Sequence, residues 1–128
     1  MKFLLIDSVS SELYVALCDV VDGGTVSERV FPEQRAHDRN LNRLTSDWVE
    51  QVDAFAIVQR AGSWTGNRIG VVAVKAYAIV TEKPIMSLTK RCIEQARRKF
   101  RAKEFFTARE IEPYYDAEFK VTACKPKT

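Results

Sequence analysis

Nine residues decide the fold of this chain: Gly62-Ser63-Trp64-Thr65-Gly66-Asn67-Arg68-Ile69-Gly70. They join an apolar segment, residues 54–58, to a helical pattern that runs to about Val80. The glycines permit positive φ or close backbone approach, and a hydroxyl at Ser63 or Thr65 can cap the helix. The amides at such a helix start can hold an anion, yet a capped strand-to-helix turn is also the ordinary connection in an α/β unit. The stretch therefore predicts an α/β architecture, and we weigh plain structure above phosphate binding.

The helix after this turn is apolar on two sides. We expect one stripe to pack on a sheet; it comprises Ile69, Val72, Ala73, Ala76, Tyr77 and Val80. A second stripe, Val71, Val74 and Ala78, lies on the opposite side, bordered by Asn67, Arg68, Lys75 and Glu82. A helix that is apolar on two sides is covered on two sides. The second stripe is therefore expected to contact either another helix of the same chain or another subunit.

The composition limits the class of protein. The 128 residues are 46% hydrophobic and 29% charged, which is enough apolar surface for one globular domain, or one domain plus a fragment. No apolar run approaches the length of a membrane span, and Met1–Ile6 is too short for a signal peptide. The three cysteines form no Cys-x-x-Cys pair, so neither a disulfide framework nor a zinc site is indicated. We expect a cytoplasmic protein with no cofactor, no metal and no membrane partner.

Hydrophobic periodicity predicts the order of the elements. A buried apolar strand at Phe3–Ile6, an alternating strand at Leu13–Cys18 and a third strand at Val26–Val30, with a turn at Asp22–Gly24, indicate an antiparallel meander. Helical spacing follows from Asp38 onward, at Leu41, Leu44, Trp48, Val49 and Val52.

The second half of this order alternates strands and helices. The strand 54–58 and the second helix come next, followed by a short strand at Pro84–Ser87 and a third helix. The inward residues of that third helix are expected to be Leu88, Cys92, Ile93, Ala96 and Phe100. Three antiparallel strands followed by alternating helices and parallel strands suit an α/β, ribonuclease H-like (actin-like ATPase) lobe, with a mixed sheet of about five strands and covering helices.

Several of these motifs resemble the TsaB (YeaZ-like) family of the bacterial threonylcarbamoyladenosine tRNA-modification machinery. The run 57–70 resembles that family's Gly-Pro-Gly-Ser-Phe-Thr-Gly-x-Arg-x-Gly signature. Leu4–Ser8 looks like its opening strand and turn, Ala36-His37 before Leu41 looks like the start of its first helix, and Lys83–Thr89 is similar to the strand and helix start that close its first domain. The resemblance implies a ribonuclease H-like N-terminal lobe over residues 1–101.

The resemblance extends weakly into a second lobe. Phe105–Tyr114 looks like the family's opening hairpin, although Thr107 replaces an acidic residue and Pro113 removes a strand donor. Residues 102–128 are therefore interpreted as a truncated β-hairpin remnant of that lobe and a C-terminal tail. Strands without a lobe to pack on should extend the first sheet, pair with another chain, or fray.

The signature loop itself departs from the family pattern. Arg60 and Ala61 stand where the family prefers Gly and Pro, so the backbone conformation that a glycine permits is in doubt at that point. The signature residues that remain are Gly62, Ser63, Thr65, Gly66, Arg68 and Gly70. A fold-setting role for the loop is favoured over ligand binding.

The resemblance implies a non-catalytic scaffold that supports the ATP-dependent TsaD subunit. TsaB proteins pair with TsaD, or with themselves, through the first two helices. This raises the subunit-interface interpretation of the second stripe, and we expect a homodimer or a TsaD-like partner. The expected interface residues are Leu41, Leu44, Trp48, Asn67, Val71, Val74 and Ala78.

Catalytic alternatives fail on residue types. A TsaD-like metal site needs two histidines one helical turn apart, but His37 is the only histidine, with Leu41 four residues on. No Gly-x-Ser-x-Gly elbow accompanies it. The segment Asp7–Ser11 carries an acid and hydroxyls without the glycine of an actin-type phosphate loop, so only residual nucleotide contact at Asp7 is left open. We therefore predict that the chain is not an enzyme.

Charge distribution carries a second hypothesis. Residues 1–80 hold eight basic and ten acidic side chains, whereas residues 81–128 hold twelve and seven. Three of the basic residues form one stripe on the third helix and are candidate RNA contacts: Lys90, Arg97 and Arg101. The alternative function is a nucleotide- or RNA-binding module that uses this stripe and the helix start at Ser63–Gly66, with tRNA as an indirect partner. A solvated helix face is the simpler interpretation of the same stripe.

Overall fold

A five-stranded mixed sheet forms the centre of the molecule. The structure, a computed structural model, describes residues 1–10, 12–32, 37–60 and 64–112, with only the helical backbone described at 37–39 and 64–67. The strands are β1 (Lys2–Asp7), β2 (Leu13–Asp19), β3 (Val26–Phe31), β4 (Ala54–Val58) and β5 (Ile85–Leu88). Their order across the sheet is β3-β2-β1-β4-β5. The antiparallel meander and the two parallel additions are confirmed, with β1 paired antiparallel to β2 and parallel to β4.

Both faces of the sheet are buried along β1, β4, β5 and most of β2, which explains the nearly continuous apolar sequences of these strands, whereas the edge strand β3 is partly exposed. Alternate residues of one strand enter different cores, as Leu4 and Ile6 do on one face and Phe3 and Leu5 on the other. All four side chains are fully buried. Each such side chain contributes about 1.5–3 kcal/mol of transfer free energy. The strands therefore require helices on both faces.

The three helices supply this cover. They are α1 (His37–Thr45), α2 (Trp64–Thr81) and α3 (Ile93–Arg101). Helices α1 and α2 contact each other on one face, where α1 also meets β2 and α2 meets β4, and α3 packs beside β5 on the other face. Within the described residues, no helix is long and apolar enough to cross a bilayer.

The first helix is shorter than its periodicity predicts. It ends at Thr45, and a single 3-10 turn at Val49–Gln51 follows after a break. Ser46 and Asp47 lie in this break, and both favour turns because their side chains compete for backbone hydrogen bonds. Trp48 and Val52 still reach the core, so the inward pattern is right although the helix is not continuous.

The third helix begins later than predicted. Leu88 is the last residue of β5, and Cys92 is the N-cap of α3. The predicted inward positions Ile93, Ala96 and Phe100 do pack on the second core face.

Beyond α3, the described chain returns to the sheet. Phe106 and Ile85 exchange backbone hydrogen bonds of 2.7 and 2.9 Å in an isolated antiparallel bridge. Ile111 is buried in the core under α1 and α2. Of the three fates predicted for this segment, the first is met only at Phe106: residues 104–112 contact the edge strand β5 through this one bridge and form no sixth strand. The rest of the predicted hairpin, residues 113–128, lies outside the described residues.

Candidate functional site

Helix α2 presents the opposite face from the one we predicted. Val71, Val74 and Ala78 were expected to meet a partner, yet they are 1%, 0% and 4% exposed and belong to the core between α2 and the sheet. Val72 and Val80 were expected in the core, yet they are 58% and 82% exposed. Ile69, Ala73 and Tyr77 do pack partly against this core, as predicted. The assignment is wrong for Val72, Ala76 and Val80, which are exposed, and for the second stripe, which is the buried one.

The physical reason lies at Gly70. A Cβ added to this residue would lie 2.5 Å from Ser8 Oγ and 2.6 Å from Ile57 Cδ1, so the helix approaches the sheet more closely here than a side chain allows. The positions four and eight residues on, Val74 and Ala78, continue the same face of the helix. Apolar periodicity finds the stripes, but only the small residues in one of them mark the side of close approach.

The other predicted interface residues also lie in the intramolecular core. Leu41 and Trp48 are 1% and 6% exposed, and Leu44 is partly buried against the same cluster. The Trp48 ring is covered by the Arg29 guanidinium, whose centre is 3.7 Å from the ring centroid. Their assignment to a subunit contact is wrong because α1 packs its apolar side on α2 and β2. The side chain of Asn67 lies outside the described residues.

An exposed apolar stripe remains on the outer side of α2. It consists of Val72, Ala76, Ile79 and Val80, and Ile79 is 67% exposed. These positions are spaced by four, three and one residues, so they share one face of the helix. The only charged residues of this 18-residue helix are Arg68 and Lys75. Contiguous exposed apolar surface of this kind marks interaction sites, whereas single exposed apolar residues are ordinary. We call these four residues the outer stripe.

The signature loop is described only in part. Gly62 and Ser63 lie outside the described residues, and Thr65 and Gly66 lie within the first turn of α2, where the backbone alone is described. Arg68 is exposed, and Gly70 is buried against the end of β1. The fold-setting role predicted for the signature is thus supported at Gly70.

Of the predicted basic stripe, Arg97 is buried and Arg101 is exposed but bonded to the β2–β3 turn. Arg97 is 3% exposed; its Nε donates to the carbonyl of Asp19 at 3.0 Å, and its Nη2 donates to the carbonyl of Gly24 at 3.1 Å. Arg101 donates to Asp22 at 3.0 Å in the same β2–β3 turn. The expectation that Arg97 faces RNA is wrong, because its guanidinium satisfies backbone carbonyls inside the protein. Lys90 is exposed in the connection between β5 and α3, before the helix begins.

Charged side chains meet at the carboxyl ends of the parallel strands. Asp7, at the end of β1, is fully buried, and its Oδ2 accepts from Arg91 Nε at 3.2 Å and lies 3.6 Å from Arg60 Nη2. Its carboxylate also accepts from the Val9 amide and the Ser10 hydroxyl, each at 3.1 Å.

This edge is where ligands bind in open α/β sheets, and an actin-like fold implies a nucleotide with Mg²⁺ there. The donor set does not fit that group, because a hard cation needs oxygen ligands and the Asp7 carboxylate already faces two guanidinium groups. In the described parts of the chain, no three His, Cys, Asp or Glu residues form a group able to hold a metal ion. Sequence reasoning missed this cluster because Arg60 and Arg91 lie far from Asp7 along the chain.

A mixed sheet in this order, with two parallel strands added to an antiparallel meander and helices on both faces, defines an α/β lobe of the ribonuclease H-like (actin-like) type. The chain shares this fold with YeaZ from Pseudomonas aeruginosa, at a TM-score of 0.63 and 24% identity over 80% of this chain and 50% of that one. A second solved structure, titled an uncharacterized protein with similarity to peptidase YEAZ from Pseudomonas aeruginosa, matches with a TM-score of 0.56 and 24% identity over 80% of this chain and 49% of that one. The fold class and the structural side of the resemblance to the TsaB (YeaZ-like) family are confirmed.

Sequence comparison gives less. No family model matches the chain. A segment of 69 residues, 52% of the chain, is 36% identical to a D-alanine–D-alanyl carrier protein ligase of Bacillus velezensis. The match spans 14% of that ligase, and the chain spans about half the length of the YeaZ structures. The comparisons therefore define the fold of this chain, and its activity and partners are matters for proposal.

Proposed function

We propose that this protein is a non-catalytic scaffold subunit resembling TsaB, which supports a TsaD-like enzyme in threonylcarbamoyladenosine modification of tRNA. The observation that carries the proposal is the outer stripe: Val72, Ile79 and Val80 are 58%, 67% and 82% exposed on a helix whose opposite side, Val71, Val74 and Ala78, packs inside the lobe. The fold shared with YeaZ and the resemblance of the signature residues to the TsaB family support the choice of tRNA modification as the pathway. Both lines meet on α2, the helix through which TsaB proteins pair.

A partner helix is the natural occupant of the outer stripe. The stripe is narrow and runs along more than two turns of α2, so it matches the apolar face of one helix packed alongside. Ala76 lies near its middle, where a small residue lets two helices approach closely. We propose that the chain forms a homodimer through α2 when it is alone, and that a TsaD-like subunit competes for the same stripe in the complex.

The non-catalytic part of the proposal rests on residue types. His37 is the only histidine, and Asp7 is engaged by two arginines. We further propose that the protein acts in the cytoplasm, where tRNA modification takes place.

The experiment is co-expression of the tagged chain with a TsaD-like protein from the same organism. The wild type should retain the TsaD-like protein on the affinity resin, and Ile79→Glu should lose it because a carboxylate would be buried between two apolar helices. The matched control is Val21→Glu, which places the same charge at a residue that is 68% exposed but lies on the β2–β3 turn. Failure of the wild type to retain the TsaD-like protein would overturn the proposal, as would equal retention by Ile79→Glu.

The alternative, an RNA-binding module, has less support. Of its three candidate contacts, Arg97 is buried and Arg101 is paired with Asp22. A basic side chain that already satisfies internal acceptors contributes little to a phosphate-binding surface. No observation on the described residues favours this function over the scaffold.

A further inference from the structure

The geometry points to an internal guanidinium clamp: Arg60 and Arg91 pair with the buried Asp7 carboxylate at the carboxyl ends of the parallel strands, and so make this edge of the sheet a structural joint instead of a cation site. The clamp is a feature of this chain's own residues. Arg60 stands where the resembling family prefers glycine, and Arg91 lies in the connection between β5 and α3.

The clamp joins the ends of all three parallel strands. Asp7 ends β1, Arg60 follows β4 by two residues, and Arg91 follows β5 by three residues. Arg60 Nη2 also donates to Ser10 Oγ at 2.5 Å, in the turn after β1. Contacts between loops so distant in sequence hold these loops together at the edge where ligands bind in other open α/β sheets.

Arg91 is held on two sides. Its guanidinium carbon lies 4.1 Å from the centroid of the Tyr14 ring, and its Nη1 donates to Glu12 at 3.4 Å. Stacking and carboxylate pairing together need a planar, delocalised cation, so lysine is a poor replacement. The Tyr14 hydroxyl donates in turn to Glu28 on β3, which extends the connection across the sheet.

Charge balance disfavours a cation at this edge. Asp7 is fully buried, whereas the side chains of Arg60 and Arg91 are 38% and 31% exposed, so the positive charges cover the negative one. A divalent ion would have to displace both guanidinium groups before it reached the carboxylate. A buried carboxylate left without its partners is costly, so the clamp also stabilises the fold.

The test uses thermal unfolding of the full chain. We expect Arg91→Gln to lower Tm by roughly 5 °C, with Arg91→Lys falling between Arg91→Gln and the wild type. Asp7→Asn combined with Arg91→Gln should lower Tm by about as much as one of the single changes, because the two residues act as one unit. Arg98→Gln, an exposed arginine on α3, is the matched control and should leave Tm unchanged within error. Mg²⁺-ATP added to the wild type should not raise Tm.

Two results would overturn the inference. One is a rise in the wild-type Tm with Mg²⁺-ATP that Asp7→Asn abolishes, since this would make Asp7 a ligand. The other is an Arg91→Gln protein with the same Tm as Arg98→Gln, since the clamp would then not stabilise the fold. Neither result depends on a TsaD-like partner, so the clamp can fail while the scaffold proposal stands.

Discussion

Because Gly70 has a hydrogen in place of a side chain, α2 can approach the sheet closely at this residue. The space that a Cβ would need is already taken by the Ser8 hydroxyl and the tip of Ile57. We expect Gly70→Ala to lower the free energy of unfolding by about 1–3 kcal/mol, because the helix must move off the sheet. Urea denaturation measures this, with Val21→Ala, an exposed valine on the β2–β3 turn, as the control. A Gly70→Ala protein as stable as the wild type would contradict the packing described here.

The Cys18 thiol belongs to the second core face. Burial raises its pKa from 9.0 to about 12, although the nearby Arg97 lowers it. Because the folded-state pKa is above the unfolded one, the stability that the neutral thiol contributes is present below about pH 9 and is lost as the pH rises toward 12.

The corresponding prediction concerns alkylation. At about pH 8, iodoacetamide should label the partly exposed Cys92 in the native protein and leave Cys18 unmodified, because only thiolates react. In urea both should react. Peptide mapping by mass spectrometry reads out the two sites separately. Labelling of Cys18 at the same rate with and without urea would contradict its burial.

At the scale of elements, α3 holds the β2–β3 turn in place through hydrogen bonds, an arrangement that we call the strap. Arg97 supplies donors to the carbonyls of Asp19 and Gly24 and pairs with Glu94 at 2.6 Å. We expect Arg97→Met to cost about 1–3 kcal/mol of stability, because two backbone acceptors lose their donors. Arg98→Met, an exposed neighbour on the same helix, should be nearly neutral. Equal urea midpoints for these two variants would contradict the strap.

A second link joins β3 to the end of α1. Arg29 donates to both carboxylate oxygens of Asp47, at 2.8 and 3.0 Å, and this lowers the pKa of Asp47 below 3.8. The folded-state pKa lies below the unfolded one, so the pair stabilises the protein above that unfolded value and the contribution is lost as the pH falls through the folded-state pKa.

The link can be tested from the acid side. Between about pH 5 and about pH 3, Asp47→Asn should lose less unfolding free energy than the wild type, because it no longer has this carboxylate to protonate. Glu50→Gln, an exposed acid in the next turn, should lose as much as the wild type. Chemical denaturation at the two pH values gives the comparison. An equal loss of unfolding free energy in Asp47→Asn and the wild type would contradict a stabilising role for the Arg29–Asp47 pair.

These elements also mark how far sequence reasoning reaches. The order of strands and helices along the chain follows from the apolar pattern. For example, β4 is a continuous apolar run, and β2 is apolar over most of its length, as expected of buried strands. The side of α2 that faces the sheet does not follow from this pattern. Both stripes of the helix are apolar, so periodicity does not indicate which of them packs on the sheet. Gly70 and Ala78 were the available signal, because small residues allow close approach. The pairing of Asp7 with Arg91 had no local signal, since it depends on where three loops meet.

At the scale of the whole molecule, the lobe is complete as a packed unit over the described residues. Both faces of its sheet are covered, and the segment 104–112 returns to β5 and the core. What distinguishes its surface is the outer stripe of α2, which lies on the helix that the resemblance associates with pairing. The scaffold proposal thus depends on a different face from the one that the sequence suggested, and a charge at Val74 would now be expected to unfold the protein instead of separating subunits.

Sedimentation equilibrium of the purified chain tests this claim most directly. We predict that the wild type self-associates, that Ile79→Glu sediments as a folded monomer, and that Val21→Glu, equally exposed on the β2–β3 turn, still self-associates. A wild type that is monomeric at every concentration, or an Ile79→Glu variant that associates as strongly as the wild type, would contradict the assignment of the outer stripe as the subunit contact.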